Sequence, residues 1–159
     1  MIGSPRSPHA FPFFFLFLPP QPLHRPLASH LQPQTICPLP EPRIVFLLVG
    51  DGAERSRLVA MRDEMTLQNV VMLDQQPKER MPDLWSLSSV SLVLLKRSDL
   101  FKTVIPSKIF ESMAMEKPIV LGVEGESAEL VMSSGGGVCI EPENGKDLAA
   151  QVLALYQDP

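Results

Sequence analysis

The chain reads as a three-layer α/β fold, an open parallel sheet with helices on both faces. Three observations predict it. Beyond Arg43, five short apolar runs recur at 44–49, 69–73, 90–95, 119–121 and 138–140, with no polar alternation, the mark of strands buried on both faces. Between them lie stretches whose apolar residues fall at helical spacing with charges opposite. Glycines and prolines punctuate the changeovers. Strand and helix alternating in this way build parallel sheets through right-handed crossovers. The strands' C-terminal ends then share one edge, and ligands of such folds bind there.

The first 42 residues stand apart. They hold eleven of the seventeen prolines, all three histidines and five of the eight phenylalanines. The run AFPFFFLFL at 10–18 is too short to span a bilayer, where about twenty residues are needed. It lacks a clean small-residue cleavage site behind it, so it is not read as an export signal. The segment 21–42 has neither a period of two nor of 3.6, and its prolines oppose helix and sheet ladders alike. Residues 1–42 are therefore expected to be a disordered or foreign leader, and residues 43–159 the folded unit.

Within that unit, IVFLLV at 44–49 runs into Gly50-Asp51-Gly52 as a buried strand entering a tight turn. A helix over 54–65 comes next, with Leu58, Met61 and Met65 facing the sheet. NVVML at 69–73 is the second strand. A short helix around 83–88, with Trp85 and Leu87 read as core, leads to the third strand at 90–95. Pro106 and Ser107, the latter as N-cap, open a helix whose apolar face is Ile109, Phe110, Met113 and Ala114. Lys117-Pro118 ends it, and Ile119, Val120 and Leu121 form the fourth strand. A helix near 126–132 closes at Gly135-Gly136-Gly137. The last strand is 138–140, and the last helix, 145–157, turns Leu148, Val152 and Leu155 inward.

Composition removes several chemistries. Beyond residue 42 there are twelve Lys and Arg against seventeen Asp and Glu, so no basic face marks a nucleic-acid binder. No histidine comes after His30, which excludes Ser-His and Cys-His devices and histidine metal ligands from the folded unit. Cys37 and Cys139 form neither a disulfide framework nor a metal spacing, and Cys139 reads as a small apolar strand residue.

Three loops meet at the ligand edge: 50–53, 74–78 and 96–107. Gly50-Asp51-Gly52 reads first as a strand-to-helix turn, with phosphate contact the alternative, since a lone GxG lacks the third glycine. The longest loop carries Lys96, Arg97 and Lys102, with Lys108 just beyond, into the free amides of the Ser107 helix. Positive side chains and a positive dipole end there favour an anion, with a solvated surface loop as the alternative. Glu111 is either a surface carboxylate near a helix start or an acceptor for the two hydroxyls of a ribose.

Taken together, LLVGDG, the third strand with its loop, IPSKIFESMAMEKPIVLGVEGESAELV and GGGVCIEPENGKDLAAQVLALYQDP resemble the C-terminal half of the group 1 (family 4) retaining glycosyltransferases. The closest flavour is the bacterial subgroup that builds capsule, O-antigen and exopolysaccharide. The resemblance covers residues 43–159. It implies one Rossmann-like half of a two-domain B-fold transferase, which binds a nucleoside-diphosphate sugar while an N-terminal half binds a glycan or lipid-linked acceptor.

The family has two glutamates separated by seven residues. Glu111 matches the second, which implies contact with the donor ribose. The first falls on Thr103, so a hydroxyl or backbone group replaces it. Ser107 and Lys108, with the amides of Val104, Ile105 and Ser107, match the loop facing the diphosphate, and Thr103 is left to contact the donor sugar. Gly50, Gln75 and Gln76 match turns near the base. The family's arginine and lysine for the diphosphate precede LLVGDG and have no equivalent in the leader. The resemblance therefore implies a fragment that is inactive alone, works without a cofactor or obligatory metal, and derives from a cytoplasmic enzyme, at the inner face of the membrane in the parent. A nucleotide-sugar epimerase half and a non-catalytic nucleotide-binding module are the alternatives.

Overall fold

The structure, a computed structural model, describes residues 13–17, 43–52 and 54–158, the first group as backbone alone. In chain order the elements are β1 (Phe13–Phe17), β2 (Val45–Val49), α1 (Arg55–Glu64), β3 (Val70–Leu73), α2 (Met81–Leu87) and β4 (Val90–Leu94). Then come α3 (Ser107–Ala114), β5 (Ile119–Gly122), α4 (Glu126–Ser134), β6 (Gly137–Cys139) and α5 (Gly145–Gln157). Short 3-10 turns at Lys78–Arg80 and Asp99–Lys102 precede α2 and lead toward α3.

The sheet order is β3-β2-β1-β4-β5-β6. β2 pairs with β3, β4 with β5 and β5 with β6, all parallel, as the apolar runs predicted. β1 differs. It lies antiparallel between β2 and β4, with Phe15 opposite Leu47 on one side and Ser91 on the other. Because β1 runs against both neighbours, β2 and β4 point the same way, and all five strands beyond Arg43 are parallel to one another.

This corrects the expectation for five residues of the leader. FFFLF at 13–17 is not outside the fold but a central strand, and the sheet is mixed rather than wholly parallel. Aromatic residues favour strands, and a gap between β2 and β4 would leave two rows of backbone donors and acceptors unpaired. The rest of the expected leader, Cys37 included, lies outside the described residues.

Two packed layers flank the sheet. On one face α5 lays Val152 and Tyr156 against Ile44, Val90, Leu92, Val120 and Ile140. On the other, α3 and α4 bring Ile109 and Val131 onto Val93, Ile119, Leu121 and Val123, while Trp85 of α2 covers Leu47 and Val49. Burying each such side chain is worth roughly 1.5–3 kcal/mol, so the two faces together hold the layers. The even-numbered residues of β4 face α5 and Val93 faces α3, as pleat alternation requires.

Some apolar positions fall elsewhere than periodicity suggested. Leu87 is 64% exposed, Phe110 52% and Met61 and Met65 about two-fifths, so α1 has no fully buried residue. On α3 the inward face is Ile109, Ser112 and Met113, with Ala114 exposed. The reason is geometric: 100° per residue turns Phe110 away once Ile109 is fixed against the sheet.

Candidate functional site

Every loop named from sequence leaves the C-terminal end of a strand, so the parallel strands gather them at one edge. The longest runs from Leu95 to Pro106 after β4 and enters α3. Pro106 sits at φ −61° and ψ 132°, an extended conformation, so it rather than Ser107 occupies the N-cap position. Ser107 is already helical, and no side chain caps the helix. Its hydroxyl instead donates to Glu111 Oε1 at 3.4 Å, one turn further on.

Lys108 is next on the same first turn. Burial pulls its ammonium down to about 8, and the nearby Glu111 carboxylate pushes the other way. Its backbone is pinned from beneath: the buried Ser112 hydroxyl donates to the Lys108 carbonyl at 2.6 Å and shares a hydrogen bond of 2.8 Å with the Ser91 hydroxyl of β4. Serine in mid-helix bonding back four residues is a local competitor for the helix ladder. Here it ties the start of α3 to the sheet.

The loop before α3 is fixed at several points. Thr103 Oγ1 donates to the Leu100 carbonyl at 3.4 Å. The buried Ser127 hydroxyl of α4 donates to the Val104 carbonyl at 3.1 Å, and Ile105 packs into the core beneath α3. Gly125 sits at φ +79°, and a Cβ there would lie 2.2 Å from the Lys102 carbonyl oxygen. Glycine is thus required where the β5–α4 turn meets the loop.

The loop's positive charge is mostly spoken for. Arg97 reaches Glu141 at 3.0 Å and Glu124 at 3.5 Å, and Lys102 reaches Asp99 at 2.7 Å and Glu124 at 3.7 Å. Of the basic residues read as gathering with Lys108, Arg97 and Lys102 each pair with carboxylates. Their partners Glu124 and Glu141 come from other strand ends, a pairing that no local spacing announces.

The remaining candidates lie along the edge, after β2 and β3. The Gly50 amide donates to the Leu73 carbonyl at 3.1 Å, so the sheet ladder uses it. Gln76 Nε2 donates to the Asp74 carbonyl at 3.0 Å, Gln75 is exposed, and Asp74 pairs with Arg55. The structure thus brings Ser107, Lys108 and Glu111 together on one helical turn and leaves Gly50, Gln75 and Gln76 at separate strand ends. Among the described residues no cluster of His, Cys, Asp or Glu is placed to hold a metal ion.

The family model for group 1 glycosyl transferases matches residues 27–158. The chain belongs to this family. A relative of 30% identity over 112 residues is the Escherichia coli (strain K12) protein named as a colanic acid biosynthesis glycosyl transferase, WcaI. That alignment covers 69% of this chain and 27% of the relative, so the group 1 chain described here spans about a quarter of that protein's length. No solved structure matches it. The group 1 match extends upstream of Arg43 to residue 27, beyond the stretch that carries the recognisable motifs.

Proposed function

We propose that this chain is the donor-binding half of a group 1 glycosyltransferase and that the start of α3 is its donor site. The observation carrying the proposal is the single turn on which Lys108, Ser107 and Glu111 converge at the C-terminal edge of the sheet. An uncapped helix start favours a negative group. Lys108, partly stripped of water and one residue inside that start, adds a full charge where the diphosphate of a nucleoside-diphosphate sugar would lie. Glu111, one turn on, accepts the two hydroxyls of a ribose. The reaction is transfer of the sugar to a glycan or lipid-linked acceptor with retention, within the assembly of a polysaccharide, as the relative's name suggests for that protein.

In the transfer step, negative charge gathers on the departing diphosphate. In this reading helix amides and the Lys108 ammonium stabilise it as it develops. No obligatory metal enters this scheme, so a chelator leaves nucleotide affinity unchanged. Transfer also needs an acceptor-binding half to orient the second substrate, and this chain alone binds donor without turning it over. The working place is the cytoplasmic face of a membrane; among the described residues no helix is long and apolar enough to cross one.

Titration with UDP, GDP and their sugars tests the reading. Saturable binding that weakens roughly tenfold in Glu111→Ala supports it, a loss typical of a charged hydrogen-bond partner. Absence of binding to every nucleotide overturns it, and robust transfer by the isolated chain overturns the claim of dependence on a second half.

A further inference from the structure

The long loop after β4 is held from two neighbouring strand ends through one residue. Arg97 Nη2 donates to Glu141 Oε1 at 3.0 Å and lies 3.5 Å from Glu124 Oε1. Its main-chain N–H donates to Glu143 Oε2 at 3.2 Å. Glu124 lies just after β5, and Glu141 and Glu143 just after β6. The acids are themselves set in place. Asn144 Nδ2 donates to Glu141 Oε2 at 2.9 Å, while Asn144 Oδ1 caps α5 by accepting from the Lys146 and Asp147 amides. Glu143 takes a left-handed φ of +62°, a conformation a non-glycine residue adopts at a cost. Its carboxylate meets the Arg97 amide from that turn.

We propose that Arg97 is a positioning residue for the donor loop: pinned by Glu141, Glu124 and Glu143, it fixes the path of residues 96–106 into the start of α3 without touching the ligand. This rests on the donor-site reading above. Two features argue for positioning over direct ligand contact. Carboxylates from the ends of β5 and β6 face Arg97, so its guanidinium is neutralised where it stands. Lys102 is neutralised likewise by Asp99 and Glu124. Glu124 joins the two pairs, so Arg97 and Lys102 hold the beginning and end of one turn of the loop against the same carboxylate. Each exposed pair is weak and salt-sensitive. A network on one short loop acts by restricting where that loop can go, which is the cost otherwise met on binding.

The test compares the full wild-type chain with Arg97→Gln, and with Arg97→Glu alone and combined with Glu141→Arg. Amide exchange over residues 98–105 and affinity for UDP and GDP are both measured. The expected result is faster exchange in Arg97→Gln, an unchanged unfolding midpoint, and nucleotide affinity about threefold to tenfold weaker, the loss of a few exposed pairs. Affinity in Arg97→Glu falls further and is recovered in part by Glu141→Arg, which a loss of general packing would not allow. Wild-type affinity that falls between 50 and 500 mM salt, with a smaller fall in Arg97→Gln, is the second expected mark. Unchanged exchange and affinity in Arg97→Gln overturn the positioning role while leaving the donor site standing. If the wild-type chain binds neither nucleotide, the donor-site reading itself fails and this role fails with it. Should Arg97→Gln not fold, Glu124→Gln carries the same comparison.

Discussion

Lys108 holds its charge against the pull of burial, which brings its ammonium to about 8, while Glu111 opposes the shift. Its folded value lies below the ordinary 10.5, so between about 8 and 10.5 the unfolded chain binds more protons than the folded one. Stability from this group therefore rises with pH across that window, and the penalty is fully present below it. Lys108→Met should unfold at higher denaturant than wild type at pH 7, with the gap closing toward pH 10. Binding of a diphosphate runs the opposite way, because it needs the charged form. Calorimetric titration of UDP should show affinity falling as pH rises through about 8, and Lys108→Met should be roughly ten- to a hundredfold weaker and flat across that range. Glu111→Ala should lower the Lys108 value further, since the carboxylate raises it. One buried residue behind the site is separable from both: Ser112→Ala removes the hydroxyl linking Lys108 to Ser91 and should cost about 1–2 kcal/mol in urea unfolding.

The elements matter through their ends. α3 is only eight residues long, short of what an isolated helix needs in water. It persists because Ile109 is fully buried and Met113 packs against the same cluster. At its start Pro106 brings the chain in extended and no side chain occupies the cap. Gly125 decides where the neighbouring turn can sit. Gly125→Ala places a methyl 2.2 Å from the Lys102 carbonyl at a φ of +79°, and should cost more than about 2 kcal/mol. Thermal unfolding measures that loss, and amide exchange over 98–105 shows whether the loop moves with it. The helix from Gly145 to Gln157 is legible in the sequence to the residue, because a long apolar stripe through Leu148, Val152 and Leu155 marks it; its Asn144 cap comes from the structure. The α1 face is not: its spacing is helical, yet Met61 and Met65 stay about two-fifths exposed, since periodicity reports a stripe and not what covers it.

Across the whole sheet, the two halves are joined through a strand from the proline-rich segment. β1 pairs with β2 on one side and β4 on the other, linking β3-β2 to β4-β5-β6. Phe15→Pro removes a ladder donor from a strand paired on both edges and should cost about 1–3 kcal/mol, the penalty of an acceptor left unpaired, read from urea unfolding. Removal of residues 1–42 should expose two strand edges and promote association, visible in light scattering; a monomer of unchanged stability would contradict the central place of β1. Local propensity and periodicity are enough to specify the five parallel strands and the helices between them, while the resemblance carried by IPSKIFESMAMEKPIVLGV and its neighbours supplies the family and points to the turn carrying Ser107, Lys108 and Glu111. Three features need the folded molecule: FFFLF enters the sheet, Glu124 and Glu141 neutralise Arg97, and Ser112 rather than Phe110 faces inward. Each of these depends on partners far apart in sequence, whose meeting is set by how the layers close over the sheet and not by any spacing along the chain.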